Sequence, residues 1–328
     1  MPEGRRARVV AVARVVIAVV VLAVVVWGVV RSRDEIVVAL RRVDALSVVL
    51  ATGLAAAGTG LTMVGWRVLL ADLGSPLHPA PAASIFFVGQ LGKYLPGSVW
   101  TVVAQADMAA RLGVPRRRTG VAGLVALGMS VLTGLLVAVP AVPYLVRGSG
   151  LGLEIVLGVV AVLLLGVCWP PVLGRLVAVG LRLLRREPLE HELSARAVLL
   201  TLGCYAASWL CFGLHTLVLA RAVGLRGGAT AALTGYALAG VAGMVAVVLP
   251  AGLGAREGLL TLLLGPWLPA GGAVAVAILS RFVVTVVDLA VAGLGWGYGR
   301  RHRLLTDEHT DEHDDPMASG AAPVQPGR

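Results

Sequence analysis

Two short polar stretches interrupt long apolar runs at corresponding places in the two halves of the chain. The first covers residues 90–100 and holds Lys93, the only lysine of the chain; the second covers residues 249–258 and holds Arg256. Proline and glycine stand beside the cation in both, so each apolar helix is expected to break there. A broken helix presents unpaired N–H groups and partial positive charge where its second half begins, which attracts anions. The two stretches therefore predict a phosphate-binding site.

A further pair of charges lies in the last apolar run, where Arg281 and Asp288 are seven residues apart and share one helical face. Charged residues inside a membrane span usually face the interior of the helix bundle and mark a pathway. The alternative is a structural ion pair, with Glu257 opposite Arg281. The sequence leaves both interpretations open.

These patterns define the substrate-binding residues that we predict. Polar residues near the breaks are expected to line a cavity, and Gln105 is expected to join them. The predicted set is Gln90, Lys93, Tyr94, Pro96, Gly97, Ser98, Gly252, Gly254, Arg256, Glu257, Arg281 and Asp288. The competing interpretation is that each proline–glycine pair marks an ordinary surface loop, from which Lys93 reaches water.

The composition identifies the elements that must position these residues. Of the 328 residues, 58% are hydrophobic and only 14% are charged, and the mean hydropathy is +0.88. A soluble domain carries about 25% charged residues. The apolar runs are continuous and reach about 20 residues, the length of a membrane-spanning helix. We therefore predict an all-α polytopic integral membrane protein. The net charge of +10 comes from arginines at the ends of these runs, so nucleic acid is not an expected partner.

The apolar segments and the loop charges predict a topology. The segments are 9–30, 46–71, 82–110, 119–146, 151–174, 196–220, 229–265 and 272–298. The loops at 111–118 and 175–196 carry four and five arginines, and both would lie outside if every segment crossed the membrane. If the two broken segments enter and leave on one side, both loops face the cytoplasm, as the positive-inside rule requires.

The resulting arrangement has about six spanning helices and two re-entrant hairpins. Its halves, about 9–147 and 151–298, then have the same order of elements in opposite orientations, which is an inverted-topology repeat. The weak point is 229–249, which is long enough to span alone. We expect a single transmembrane domain over residues 9–300 in the plasma membrane, a cytoplasmic N-terminus at 1–8 and a disordered acidic tail at 304–328, also cytoplasmic.

The sequence contains no recognisable catalytic set, nucleotide-binding loop or metal-ligand spacing. We therefore predict no cofactor, no metal and no catalytic residue, and we do not expect an enzyme. A membrane enzyme would need an acid or base, for which only Glu257, Asp107 and Asp288 are candidates.

The two polar stretches also resemble the motifs of a known family. Residues 92–100 and 249–258 are similar to two motifs of the lysylphosphatidylglycerol synthase transmembrane-region family, the second of which usually reads Pro–Gly–Gly–(Leu/Ile)–Gly followed by Arg–Glu. Ala251 replaces the first of those glycines, and Arg281 falls where members often keep an arginine. In bifunctional members, a separate soluble domain transfers the aminoacyl group. The resemblance implies the lipid-translocating part without that domain.

The sequence thus favours a flippase-like translocase for a phospholipid or a lipid-linked anionic intermediate, with the phosphate held at the broken helices near mid-membrane. One alternative is a membrane enzyme acting on a polyprenyl-phosphate or glycolipid carrier. Another is a structural partner of such an enzyme. The expected partners are the lipid substrate and membrane lipids, with a homo-oligomer or a partner membrane enzyme as a further expectation.

Overall fold

The computed structural model describes residues 30, 33–94, 99–146, 150–183, 193–246 and 252–302. Within these ranges the secondary structure is helical, without strands. The α-helices are α1 Arg33–Leu40, α2 Ala45–Asp72, α3 Pro79–Gln90, α4 Val99–Ala110, α5 Arg116–Ala138, α6 Val142–Val146, α7 Leu151–Cys168, α8 Pro170–Leu183, α9 Ala195–Val223, α10 Ala229–Val245, α11 Ala255–Leu264 and α12 Gly272–Arg301. Short 3₁₀ turns follow α3, α5 and α11.

The predicted fold class is confirmed, since the described chain is a bundle of apolar helices. Four of its elements are long and apolar enough to cross a membrane: α2, the continuous stretch Arg116–Val146, α9 and α12. The bent pair of α7 and α8 would make a fifth. The predicted first span (9–30) lies outside the described residues except for Val30, and the N-terminus (1–8) and the acidic tail (304–328) lie outside them entirely. The count of about six spans stays a prediction.

The fifth apolar segment ends earlier than its sequence predicts. Helix α7 stops at Cys168, and α8 leaves it at an angle of 73°. Pro170 and Pro171 open α8. Proline removes a backbone donor and clashes with the preceding helical turn, so a straight helix from 151 to 174 cannot form.

Both broken segments fold back on themselves as antiparallel helical hairpins. In the first hairpin, formed by α3 and α4, Gly89 lies against Gln105 and Gly92 lies against the backbone of Thr101. In the second, formed by α10 and α11, Gly243 lies against Gly252, and further from the break Gly235 lies against Leu263. Residues 229–245 are therefore one arm of a hairpin. The breaks themselves, at 95–98 and 247–251, lie outside the described residues.

The packing of α2 against α9 has the two-fold symmetry that an inverted repeat requires. Ser208 donates a hydrogen bond to the Gly58 carbonyl at 2.8 Å, and these residues are 150 positions apart. On one side of this pair Thr201 donates to the Gly65 carbonyl, and on the other His215 bonds the Ala51 carbonyl. Adding 150 to the residue numbers of α2 turns Ala51 into Thr201 and Gly65 into His215, so the two flanking pairs change places. The helices therefore run antiparallel and swap places under a two-fold axis near Gly58.

The remaining contacts follow the same symmetry. Helix α12 of the second half packs against α3 of the first, and α5 of the first half packs against α10 of the second. Each hairpin is thus held by the last long helix of the opposite half. This exchange brings Tyr94 and Gly252, which flank the two breaks, to one cavity inside the bundle.

Candidate functional site

A cavity of about 280 Å³ lies between the two hairpins. Its walls come from both halves, with residues of α2, α3, α4, α5, α9, α10, α11 and α12. Seven of the predicted site residues line it together: Gln90, Lys93, Tyr94, Gly252, Arg256, Arg281 and Asp288. Gln105 lines it as well. Gly254 and Glu257 lie in the adjoining first turn of α11, outside the described lining, and Pro96, Gly97 and Ser98 fall outside the described residues.

The first hairpin is tied to α12 through Asp288. The Lys93 ammonium lies 2.7 Å from Asp288 Oδ2, and the Tyr94 hydroxyl donates a 2.7 Å hydrogen bond to the same oxygen. The Asp288 side chain is only 2% exposed, whereas that of Lys93 is 34% exposed. A buried carboxylate needs such partners because water cannot solvate it. One oxygen therefore holds the 3₁₀ turn Leu91–Tyr94 against the spanning helix.

The second hairpin is tied to α12 through Arg281. Its guanidinium lies 3.2 Å from Glu257 Oε1, and both side chains are largely buried. The other Glu257 oxygen accepts the Gly254 N–H at 2.7 Å, at the start of α11. The ion pair that the sequence offered as an alternative thus forms. The anion at this helix N-terminus is supplied by the chain itself.

Arg256 is the cation of the cavity without an acidic partner among the described residues. Its guanidinium carbon lies 4.5 Å from the centre of the Tyr236 ring, and its Nη2 lies 3.5 Å from the Ser280 hydroxyl. A cation–π contact holds the guanidinium in place without neutralising its charge. The described lining carries three cations (Lys93, Arg256 and Arg281) and one carboxylate. The cavity is therefore electropositive.

A hydrogen-bonded chain behind Arg256 fixes the orientation of Ser280. His215 is fully buried, with Nδ1 2.9 Å from the Ala51 carbonyl and Nε2 3.0 Å from the Ser280 hydroxyl. A carbonyl can only accept, so Nδ1 of the neutral ring carries the proton and Nε2 accepts from Ser280. The Ser280 oxygen then faces Arg256 with its lone pairs. The sequence alone shows His215 only as a lone histidine in a span.

Aromatic side chains form much of the remaining cavity wall, and the sequence analysis missed them. They are Trp66, Phe86, Tyr205, Trp209, Phe212 and Tyr236. A signal existed on α9, where Tyr205, Trp209 and Phe212 recur at positions i, i+4 and i+7 and so lie on one face. Such a stripe usually marks only a packed core, which is why it did not stand out.

The carboxylates named as candidates for enzyme chemistry are all engaged by cations. Asp288 is held by Lys93 and Glu257 by Arg281. Asp107, at the end of α4, lies 2.9 Å from Arg116 and is not part of the described cavity lining.

The model of one protein family matches most of the chain. It is described as the lysylphosphatidylglycerol synthase TM region, and it matches residues 12–292. This range includes both polar stretches and every residue of the cavity. No curated protein matches the chain significantly.

Proposed function

The chain belongs to the lysylphosphatidylglycerol synthase transmembrane-region family, and from this premise we propose that it is a flippase-like translocase. Its substrate is a phospholipid or a lipid-linked anionic intermediate, whose head-group phosphate binds in the cavity between the two hairpins. The family supports a membrane protein related to lipid handling. The further step, from a membrane protein related to lipid handling to a translocase, rests on the residues of the cavity.

One observation carries the proposal: Arg256 lines the cavity with a full charge, and no carboxylate among the described residues neutralises it. Its described partners are an aromatic ring and a hydroxyl oxygen. A guanidinium binds phosphate oxygens through paired N–H donors, and such charge-assisted bonds are the strong ones. Ser280 and Tyr236 hold the guanidinium, so little side-chain freedom is lost when an anion binds.

The other charges of the cavity support the same ligand. Arg281 and Lys93 add positive charge, and both are also anchored to carboxylates on neighbouring helices. These anchors give the cavity a defined structure. An arriving phosphate can compete with Asp288 for Lys93, which would loosen the first hairpin from α12.

The size of the cavity supports binding of a head group and not of a whole lipid. At about 280 Å³ it lies just below the range of about 300–1,000 Å³ that is common for small-molecule pockets. Acyl or polyprenyl chains are too long to enter and would remain in the bilayer. A head group that moves while its chains stay in lipid is the defining requirement of a flippase.

We further propose that the protein lies in the plasma membrane with both termini in the cytoplasm, an orientation that the arginine-rich loops support. In this orientation the two hairpins enter from opposite faces, and we propose that the cavity between them opens to each leaflet in turn. The substrate lipid is then the principal partner of the protein. The sequence-based expectation of a homo-oligomer or a partner enzyme is separate from this mechanism.

Translocation by purified protein in liposomes tests the proposal. Fluorescent phosphatidylglycerol is followed by chemical bleaching of the outer leaflet, with Arg256→Gln as the test variant and Arg221→Gln, at the exposed end of α9, as the control. Loss of one charged hydrogen bond costs about 1.5–3 kcal/mol, so we expect translocation to fall by about 10- to 100-fold in Arg256→Gln only.

Normal translocation by Arg256→Gln would remove Arg256 from the mechanism. Separately, liposomes that contain the wild-type protein are analysed for chemical change of the lipid. A new lipid product in place of movement would identify an enzyme. If the wild-type protein gives neither movement nor product, the chain has a structural role.

A further inference from the structure

We propose that the cavity has a second, uncharged end, and that this end binds a neutral, hydroxyl-bearing head group such as glycerol or a sugar. This inference rests on the proposed function, because it names the chemical group attached to the phosphate at Arg256. The residues that carry it are Trp66, Gln105 and the aromatic side chains around them.

The two ends are separated along α9. At one end, the Tyr236 ring that contacts Arg256 stacks on Phe212, with ring centres 5.2 Å apart. At the other end, Tyr205 lies against Gly65, next to Trp66: a Cβ placed on Gly65 would lie 2.9 Å from the Tyr205 ring. Seven residues separate Tyr205 from Phe212, which is about 10 Å of helix. This length holds a phosphate and one further small group.

The second end combines neutral hydrogen-bonding groups with aromatic faces. The Trp66 ring lies 5.5 Å from Phe86, one turn before Gly89, and Gln105 packs against Gly89. Trp66 is fully buried and Gln105 is 2% exposed. The Trp66 indole N–H has no hydrogen-bond partner in the described part of the chain. A buried donor of this kind costs free energy unless a ligand or water satisfies it.

A hydroxyl group suits this end better than an ammonium group. The glutamine amide both donates and accepts, as a hydroxyl does, and an indole N–H needs an acceptor, which an ammonium cannot provide. The described lining has one carboxylate, Asp288, and Lys93 and Tyr94 already bind it. An ammonium head group would enter an electropositive cavity whose one described carboxylate is already engaged by Lys93 and Tyr94.

Binding of short-chain, water-soluble lipids to the purified protein in detergent tests the inference. The probes are dihexanoyl forms of phosphatidic acid, phosphatidylglycerol, phosphatidylinositol and phosphatidylethanolamine. The variants are Trp66→Phe, which keeps the ring but removes the N–H, and Gln105→Leu, which removes the amide. Trp296→Phe, at an exposed tryptophan of α12, is the matched control.

We expect the wild type to bind phosphatidylglycerol or phosphatidylinositol at least about tenfold more tightly than phosphatidylethanolamine. Each test variant should lose about tenfold in affinity for the hydroxyl-bearing lipid, the effect of a hydrogen bond worth about 1.4 kcal/mol. Their affinity for phosphatidic acid, which ends at the phosphate, should not change. The control should match the wild type with every probe.

Two results would overturn the inference while the proposed function stands. The first is equal or tighter binding of phosphatidylethanolamine, which would assign the aromatic wall to an ammonium through cation–π contacts. The second is an equal loss of affinity for phosphatidic acid and for phosphatidylglycerol in the variants Gln105→Leu and Trp66→Phe. Binding of none of the four probes by the wild type would instead contradict the proposed function.

Discussion

Asp288 is a buried charge whose partners come from the first hairpin. Its carboxylate is 2% exposed and receives the Lys93 ammonium and the Tyr94 hydroxyl at the same oxygen. Removing one member of a buried pair leaves the other charge without compensation, which costs more than the pair itself contributes. We therefore expect the only lysine of the chain to contribute to stability, in addition to the substrate contact that we propose.

We predict that Lys93→Met lowers the free energy of unfolding by about 2 kcal/mol. The loss is smaller than the 3–5 kcal/mol typical of a fully buried pair, because the Lys93 side chain is 34% exposed. Thermal unfolding in detergent measures it.

The double variant Lys93→Met/Asp288→Asn is the control for that measurement, because it removes both charges together. It should recover most of the lost stability without recovering translocation. Equal stability of the single and double variants would show that the Lys93–Asp288 contact is not the stabilising one.

At the scale of elements, α12 is the helix that joins the two hairpins. Arg281 holds the second hairpin through Glu257, and Asp288 holds the first through Lys93. The seven residues between them span two helical turns, so both contacts lie on one face. The sequence placed these charges on one face, and the structure shows that each serves a different hairpin.

In the second hairpin, some glycines are required by close packing and others are not. Gly252 has a positive φ of 66°, and a Cβ there would lie 2.5 Å from the Cα of Gly243. Gly258, six residues later in α11, has no atom within 4 Å of such a Cβ. The pair offers a matched comparison within one hairpin.

We predict that Gly252→Ala lowers the free energy of unfolding by about 2–4 kcal/mol, through backbone strain and the clash with Gly243. Gly258→Ala should raise it by up to about 1 kcal/mol, because alanine favours the helix. Thermal unfolding in detergent compares the two. A similar effect of both substitutions would show that the hairpin does not close at Gly252.

At the scale of the whole molecule, the two-fold relation explains why two polar stretches, one in each half, contribute to one cavity. The exchange of partners brings Lys93 of the first half and Arg256 of the second into one cavity. The halves are not equivalent there, because Arg281 and Asp288 occur only in the last helix. A symmetric scaffold thus carries an asymmetric set of charges.

The inverted repeat predicts which loops share a side of the membrane. Single cysteines at the exposed positions His78, Pro115, Ala229 and Ala270 flank the two hairpins. They are introduced after replacement of Cys168, Cys204 and Cys211, and whole cells are labelled with an impermeant thiol reagent.

We expect labelling at 229 and 270 and protection at 78 and 115, with all four labelled after permeabilisation. Buried Ser75 and Thr119 would be poor positions, since protection there would not report topology. Labelling at only one end of a hairpin would mean that the segment crosses the membrane, and the inverted repeat would be wrong.

The sequence by itself determined the membrane class, the helical fold and the two breaks. These follow from local properties: runs of apolar residues of spanning length, and proline and glycine that interrupt helices wherever they occur. It also named all four charged residues of the described cavity lining, because a charge inside an apolar run is costly and therefore easy to notice.

Only the tertiary structure decided which of those charges are paired and what else surrounds them. Whether Glu257 caps α11, binds Arg281 or faces a ligand depends on distances between helices, which no spacing in the chain specifies. The aromatic wall went unnoticed for the same reason, and so did the Trp66 N–H, which has no hydrogen-bond partner among the described residues. A core tryptophan and a ligand-binding one look alike in a sequence. Which residues meet between two helices is a property of the packed bundle. The antiparallel packing of α2 and α9 pairs Gly58 with Ser208, which are 150 positions apart in the chain.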